Sequence, residues 1–308
     1  MTETSEGAGS SLPVPSRPAP DAGSGLPASS RPATGRRAAY VRAQRRRSLA
    51  IAITSTAIVV AALVVVVPRM PGWDKVREQF FDADTFREAL PELIGPFWLN
   101  IRLFLICTPC ILLVGLLIAM ARNARTPALY PLRLFATLYT DVVRGVPVIL
   151  WISLIGFGVP GLFQERAWYT KLIVWATVAL IMCYSAYVAE VFRAGIESVH
   201  ESQRAAARSL GLSAGQTMRS VVLPQAIRRM VPALMNDLVS LQKDVALVSV
   251  VGIVEVLRKA NNIKAEIFNS TPVVAAALLF LCVSIPLTRI TDHLLARQRR
   301  RTSATAVA

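Results

Sequence analysis

Long apolar stretches constrain what this chain can fold into more than any other feature of its sequence. Each is close to the roughly 20 residues that an α-helix needs to cross a bilayer. A backbone in lipid must satisfy its polar groups internally, and a continuous apolar run does this as a helix. The sequence therefore predicts an all-α membrane protein with about six transmembrane helices. The stretches lie near 49–67, 97–121, 142–163, 172–191, 231–256 and 272–294.

Basic residues in the flanks of these stretches predict the orientation of the chain. Lys and Arg beside a transmembrane helix are retained in the cytoplasm during insertion. They accumulate at both ends of the chain, in the turn after the second stretch and in the loop after the fourth, so we expect all of these places, and both termini, to be cytoplasmic. Arg258, Lys259 and Lys264, after the fifth stretch, are an exception. The basic residues that carry the prediction are Arg36, Arg37, Arg42, Arg45, Arg46, Arg47, Arg122, Arg125, Arg133, Arg193, Arg204, Arg208, Arg219, Arg228, Arg229, Arg297, Arg299, Arg300 and Arg301.

Composition outside the apolar stretches divides the chain further. Residues 1–47 are rich in Ser, Pro, Gly and Ala, which predicts a disordered basic tail, and 296–308 form a second basic tail. Between them we expect an N-terminal transmembrane helix at 48–67, an acidic extracytoplasmic loop at 68–96 and a transmembrane domain at 97–295. The net charge of +15 is spread over membrane flanks. Because no folded groove gathers this charge, it argues against nucleic-acid binding.

A polar segment at 202–224 has the pattern of two short helices. Its first part is rich in the helix formers Ala, Gln and Arg, and Gly211 is placed to end that helix. Ser213 precedes Gln216 by three residues, the spacing of a capping box, so a second helix is expected to begin there. Pro224 lacks an N–H and is expected to end it. An ordinary solvated loop has little need of this order of helix, stop and cap. We therefore predict that the loop is a docking site. With the flanking residues on both sides, the predicted loop spans 193–230. The candidate contact residues are Gln203, Arg204, Ala205, Ala206, Ala207, Arg208, Leu210 and Gly211.

The fifth apolar stretch carries a group of polar residues within the predicted membrane region. Asn236, Ser240, Lys243 and Asp244 recur at intervals of four, three and one, which places them on one face of a helix. Ionisable residues in a membrane cost a few kcal/mol each and are functional candidates by default. They are candidates for a functional polar face, and the family resemblance described below implies that this face belongs to a translocation path that contacts a zwitterionic solute. The alternative that Lys243 and Asp244 lie near a helix kink or the membrane edge stays open.

Three positions near the inner ends of helices predict local structure. Glu190 and Arg193, three residues apart, are expected to form an ion pair that fixes the angle at which the loop leaves its helix. Asp141 and Arg144 are expected to pair in the same way. Pro147, just inside the third stretch, predicts a helix break where backbone carbonyls line a cavity.

No candidate catalytic or metal-binding residues emerge. The cysteines Cys107, Cys110, Cys183 and Cys282 lie within the apolar stretches and are typical of small packing residues. The two histidines have no neighbouring cluster with metal-ligand spacing. A membrane-embedded enzyme would need a nucleophile or an acid and base in such a cluster.

Several ordered segments resemble the permeases of polar amino acid ABC importers, the histidine/glutamine/glutamate class. The segments are Asp-Val-Val-Arg-Gly-Val-Pro at 141–147, Tyr-Val-Ala-Glu-Val-Phe-Arg-Ala-Gly at 187–195, the docking loop, Leu-Pro-Gln-Ala-Ile-Arg-Arg at 223–229, Asn236, and Lys-Asp-Val-Ala-Leu at 243–247. The likeness covers roughly 95–295. It departs at Ala205, where the family loop usually has glutamate, and at 243–247, which lacks two hydroxyls of the family pattern.

The resemblance implies a fold and a set of partners. It implies a type I ABC importer permease core of five helices, with 48–67 as an added helix, in a bacterial plasma membrane. It also implies a second permease chain, identical or different, cytoplasmic ATPase subunits that bind ATP and Mg²⁺, and an extracytoplasmic solute-binding protein. No GxxxxGK[ST] phosphate loop occurs, so the chain is expected to be a transport subunit without a cofactor, not an enzyme. Arg204 and Arg208, one turn apart, are expected to face the ATPase or lipid headgroups.

Two other functions stay open at this point. The loop pattern is shared across many importers, so a permease for another small solute is the nearest alternative. A passive channel or scaffold without an ATPase partner is the other, although it would need no such loop. Co-purification with an ATPase separates these hypotheses.

Overall fold

The computed structural model describes residues 33–124, 126–163 and 171–305. All regular structure in these residues is helical, which confirms the predicted all-α class. The chain divides into two compact units, Met1–Met70 and Pro71–Ala308. The helices are α1 (Ala33–Val66), α2 (Trp73–Phe80), α3 (Ala83–Arg122), α4 (Tyr130–Gly145), α5 (Val148–Gly161), α6 (Leu172–Glu197), α7 (Glu201–Ser209), α8 (Ala214–Thr217), α9 (Leu223–Asp244), α10 (Val256–Ile267) and α11 (Thr271–Thr305).

The first unit consists mainly of α1, which begins earlier than expected. The sequence predicts disorder over 1–47, but the helix starts at Ala33, because the Ala, Arg and Gln residues of its first turns are strong helix formers. The rest of that tail, 1–32, lies outside the described residues. From residue 49 to 66 every side chain is exposed, as in a helix surrounded by lipid. This part of α1 is long and apolar enough to cross a membrane.

The second unit is built around α6. Ten of its residues are buried, most of them small, and small residues let helices in membranes approach closely. α3 packs along it so tightly that a Cβ added at Gly115 would lie 2.7 Å from Val188 Cγ1 and 3.2 Å from the backbone O of Ser185. Side chains of α5 and α9, such as Ile152 and Leu241, complete this apolar core.

The third predicted stretch is two helices rather than one. The sequence predicts a single span at 142–163, but α4 and α5 meet at an angle of 106°. Val146 is extended, with φ −115° and ψ 136°, because Pro147 disfavours the helical conformation in the residue before it. The break predicted at Pro147 is therefore confirmed, and the expected boundaries are wrong, since α4 already begins at Tyr130.

The fifth predicted stretch ends earlier than expected. The sequence predicts a helix at 231–256, but α9 ends at Asp244 and a 3₁₀ segment, Val245–Val251, follows. Gly252 then adopts the left-handed conformation, with φ 86°. Glu255 caps the new helix α10: its side chain accepts hydrogen bonds from the backbone N–H groups of Leu257 and Arg258. The basic residues noted as an exception to the charge rule therefore lie on a separate helix, α10.

Each predicted apolar stretch overlaps a helix, although not every helix is equally apolar. Among the described residues, four segments are long and apolar enough to cross a membrane, or five if the bent α4–α5 pair counts as one span. α9 is not among them, because its polar residues lower its hydropathy. α11 begins one residue before the predicted span and runs to Thr305, into the expected basic tail.

Hydrogen bonds tie α2 to the turn between α10 and α11. Gln79 Nε2 donates to the backbone O of Phe268 at 2.9 Å, and the backbone N of Ser270 donates to the O of Gln79 at 2.8 Å. Asn269 Nδ2 donates to the O of Glu78 at 3.0 Å. We call these three bonds the strap. The segment predicted as an extracytoplasmic loop is thus largely helical, and α3 begins within it at Ala83.

Candidate functional site

The polar loop between α6 and α9 contains the two short helices that the sequence predicts. α7 ends before Gly211, which has a φ of 83°. Ser213 and Gln216 form the predicted capping box: Gln216 N donates to Ser213 Oγ at 3.3 Å, and Ser213 N donates to Gln216 Oε1 at 2.8 Å. Local sequence signals alone determine this part of the site.

The prediction that Pro224 ends the second helix is wrong. α8 continues through a π-helical turn, Met218–Val222, directly into α9, and Pro224 lies in the first turn of α9. Proline is favoured there, because the N–H that it lacks has no intrahelical partner in a first turn. The loop therefore leads into α9 without a flexible joint.

One side of α7 packs against the protein and the other is exposed. Ala207 is buried, and Arg204 Nη2 donates to the backbone O of Ile196 at 2.7 Å, which leaves the Arg204 side chain 18% exposed. We expected Arg204 to face a partner or lipid headgroups, but it lies against the end of α6, where backbone carbonyls lack helical donors. Leu210, just after α7, is 84% exposed. The exposed candidate residues are Gln203, Ala205, Ala206, Arg208, Leu210 and Gly211.

The end of α6 is also fixed to α9. Arg229 of α9 donates from Nη1 to the backbone O of Ser198. Val199 is buried against Val222 and Met230 in a small apolar cluster. α7 and the start of α9 are therefore attached to α6 by both polar and apolar contacts.

The carboxylate of Glu190, in the C-terminal part of α6, contacts arginines from three helices. Glu190 forms the predicted ion pair with Arg193. It also accepts a hydrogen bond from Arg122, the last residue of α3, at 2.8 Å. Arg144 of α4 was expected to pair with Asp141, but its Nη1 lies 3.7 Å from Glu190 Oε2 instead. We call Glu190 and these three arginines the Glu190 cluster. It joins the C-terminal parts of α3, α4 and α6.

The structure divides the polar residues predicted on α9 between two faces. Asn236, Ser240 and Lys243 are exposed, and at 100° per residue they lie within about 60° of one another. Asp244 is half-buried on the neighbouring face, where the hydroxyl of Tyr184 donates a hydrogen bond to Oδ2 at 2.7 Å. Lys243 also lines a cavity of about 750 Å³ between α9 and α11.

A second cavity, of about 410 Å³, lies between α4, α6 and α9. Asp237 lines it, and its Oδ2 is buried without a hydrogen-bond partner among the residues that the structure describes. Sequence reasoning missed Asp237. The sequence did contain a signal for it, since Asp237 is an ionisable residue within the fifth apolar stretch. It also lies two helical turns before Asp244, on the same face of the helix. At the edge of the cavity, a Cβ added at Gly195 would lie 2.9 Å from Met230 Cβ, so α6 and α9 are in close contact there.

The fold and this site together define a class of membrane transport component. Residues 111–300 match the family described as the inner membrane component of binding-protein-dependent transport systems. The match includes the loop, the Glu190 cluster and α9, and it covers more than half of the chain. The chain therefore belongs to this family of multi-pass inner membrane proteins. α1 and α2 lie outside the matched range.

Similar proteins identify the branch of the family. The arginine transport system permease protein ArtQ of Bacillus subtilis (strain 168) is 30% identical over 204 residues, 65% of this chain and 90% of ArtQ. The glutamine transport system permease protein GlnP of Escherichia coli (strain K12) is 30% identical over 221 residues, 72% of this chain and 97% of GlnP. A solved structure described as an amino acid ABC transporter with histidines has a TM-score of 0.63 and 30% identity, covering 70% of this chain and 98% of that one. This chain is a permease component of the amino acid ABC importer family, as the sequence resemblance predicts.

Proposed function

We propose that this chain is the permease subunit of an ATP-driven amino acid importer and that α7 seats on a cytoplasmic ATPase subunit. The observation that carries the proposal is the exposed side of α7, which leads to Leu210, a side chain 84% exposed. A lone exposed leucine on a surface is ordinary. This one stands at the tip of a polar loop, beside a turn fixed by the left-handed Gly211. An apolar anchor with a polar rim is typical of a protein interface.

The attachments of α7 support a role in transmitting movement. Arg204 bonds α7 to the end of α6, and Arg229 bonds α9 to the same end. A displacement of α7 therefore acts on both membrane helices. In this proposal ATP and Mg²⁺ are bound and ATP is hydrolysed in the partner ATPase, and this chain converts the movement into an opening of the solute path.

The exposed polar face of α9 supports a path shared with a second permease chain. Charged side chains within a membrane face a water-filled cavity or a protein partner. Asn236, Ser240 and Lys243 are exposed together, so we place the second chain, identical or related, opposite them. Asp244 and Tyr184 continue the polar surface toward α6.

The proposed orientation follows from the basic residues of the loop. Arg208 and Arg219 are exposed on it, and basic loops are retained in the cytoplasm. The loop and both termini are then cytoplasmic, in a bacterial plasma membrane. An extracytoplasmic solute-binding protein delivers the solute from the opposite side.

Co-purification tests the proposal. A tagged chain, purified in mild detergent from its own cells after crosslinking, is expected to bring an ABC ATPase that mass spectrometry identifies. Substituting Leu210 by Asp is expected to lower the recovered ATPase about fivefold, since an interface anchor contributes at least about 1 kcal/mol. Phe268→Asp is the matched control: the Phe268 side chain is 83% exposed in the turn between α10 and α11, outside the apolar stretches, and its replacement should leave recovery unchanged.

The outcomes separate the competing functions. A wild-type chain that brings no ATPase, even after crosslinking, favours the passive channel or scaffold. A complex that contains the ATPase and imports no amino acid, but takes up another labelled solute, favours a permease for that solute.

A further inference from the structure

We propose that α2 is an interfacial helix whose apolar side lies in the lipid headgroup region, at the membrane surface from which α11 enters the bilayer. The partner is the lipid surface itself, and in the proposed orientation this surface is the extracytoplasmic one. α2 lies outside the matched range 111–300, so membership of the family assigns it no role.

α2 has a distinct apolar side. At 100° per residue, Trp73, Val76 and Phe80 lie within about 60° of one another. Val76 is 42% exposed, Phe80 is 40% exposed and Trp73 is half-buried, so the protein covers this side only in part. A short helix with one apolar side is suited to lie in the plane of a membrane interface.

The charged residues of α2 cancel one another. The side about 180° from the apolar one carries the exposed residues Asp74, Lys75 and Glu78. With Arg77, α2 contains two basic and two acidic residues. A helix without net charge gains little from electrostatic attraction to anionic lipid. The apolar side of α2 therefore determines how it binds the membrane.

Hydrogen bonds hold α2 at the level where α11 enters the membrane. The apolar span of α11 begins at Thr271. The strap joins α2 to 268–270, directly before that residue. The backbone N of Asp82, two residues after α2, donates to Thr271 Oγ1 at 3.2 Å. In the sequence, only 70–72 separate Trp73 from the apolar helical segment that ends at Arg69. Each end of α2 is therefore next to the end of a membrane span, and the helix lies along the surface.

The aromatic residues of this segment favour lipid over a protein partner. Tryptophan is enriched at membrane interfaces, where its ring meets the apolar boundary and its N–H meets water. Phe81, directly after α2, is 59% exposed and places another ring at the same level. A soluble partner, such as the solute-binding protein, approaches from the water and would meet the polar side of α2 first.

Tryptophan quenching in lipid nanodiscs tests this placement. The full-length protein carries Trp73→Phe, and one new tryptophan is introduced by Val76→Trp on the apolar side or by Lys75→Trp, the matched control, on the polar side. The protein with Trp73→Phe alone gives the signal of the other tryptophans, which is subtracted. One quencher is a phosphatidylcholine brominated in the upper part of its acyl chains, and the other is iodide in the water.

The expected result is opposite for the two positions. The apolar side of an interfacial helix lies about 5–10 Å into the boundary between headgroups and acyl chains, so the brominated lipid should quench a tryptophan at 76 about threefold more than one at 75. Iodide should give the reverse order. Replacing part of the lipid by phosphatidylglycerol, or adding salt, should leave the quenching at 76 unchanged, because α2 has no net charge.

Three results would overturn the proposal. Equal quenching by the brominated lipid at 76 and 75 shows that the apolar side does not face lipid. Strong quenching by iodide at 76 leaves that side in water, open to a protein partner. An increase with phosphatidylglycerol that salt reverses indicates electrostatic adsorption instead. If either new tryptophan lowers the melting temperature, native Trp73 decides alone: the brominated lipid must quench the signal that Trp73→Phe removes.

Discussion

Replacement of Glu190 by Gln is expected to lower the free energy of unfolding by about 3 kcal/mol, because it leaves Arg122 and Arg144 without a counter-charge and Arg193 with Glu197 alone. The carboxylate is 2.8 Å from Arg122 and 3.7 Å from Arg144, and it also pairs with Arg193. Its side chain is 21% exposed, so we take the lower end of the range seen for broken buried ion pairs. Thermal unfolding of the purified protein in detergent, followed by tryptophan fluorescence, measures the change.

Glu197 provides a matched control for this prediction. It also pairs with Arg193, but it is 53% exposed, and exposed ion pairs contribute roughly 0 to 1 kcal/mol. Glu197→Gln should therefore have a small effect. Adding Arg122→Gln to Glu190→Gln should recover part of the loss, since it removes one uncompensated charge. Equal effects of the two single variants would show that the Glu190 cluster does not stabilise the fold as described.

Substituting Gly115 by Ala is expected to cost about 2 kcal/mol through overpacking between α3 and α6. The new Cβ would lie 2.7 Å from Val188 Cγ1, and Val188 is a buried, β-branched side chain that has little room to move. The same fluorescence melt measures the loss. The double variant with Val188→Ala should regain part of it, because the clashing methyl group is then absent.

A second glycine separates overpacking from helix propensity. A Cβ at Gly158, within α5, would meet nothing within 4 Å. Gly158→Ala should be neutral or stabilising by up to about 1 kcal/mol, as expected for this substitution in a helix. If Gly115→Ala is as well tolerated as Gly158→Ala, the close approach of α3 and α6 is not as tight as the structure indicates.

The parts of the site that were predictable are those with local causes. The capping box of Ser213 and Gln216, the stop at Gly211 and the break at Pro147 each depend on residues a few positions apart, and all three are confirmed. The direction of Arg204 was not predictable in this way. A helix position says which residues share a face, but only packing against the end of α6 decides which face is covered.

The end of α9 and the burial of Asp237 depend on contacts between distant segments. Glu255, which caps α10, is itself bound by Asn100 of α3, 155 residues away, so no local pattern marks the change of helix. Asp237 carried the same intramembrane signal as Lys243, but its burial beside Arg144 becomes visible only when α4, α6 and α9 are assembled. Sequence patterns therefore identified the helix α9 and the presence of ionisable residues on it. Only the assembled fold shows which of these residues is buried.

The strap has a consequence for the order of events during synthesis. Gln79 and Phe268 are 189 residues apart, so their hydrogen bond closes a very long loop, which is entropically costly and slow to form. The partners of α2 lie in the turn between α10 and α11, so α2 cannot form these bonds until the ribosome has synthesised that turn. α2 is therefore expected to remain undocked through most of translation, and a chain truncated before residue 268 would leave Gln79 and Glu78 without these acceptors and donors. Ordering of this end of the protein then reports that synthesis has passed residue 270.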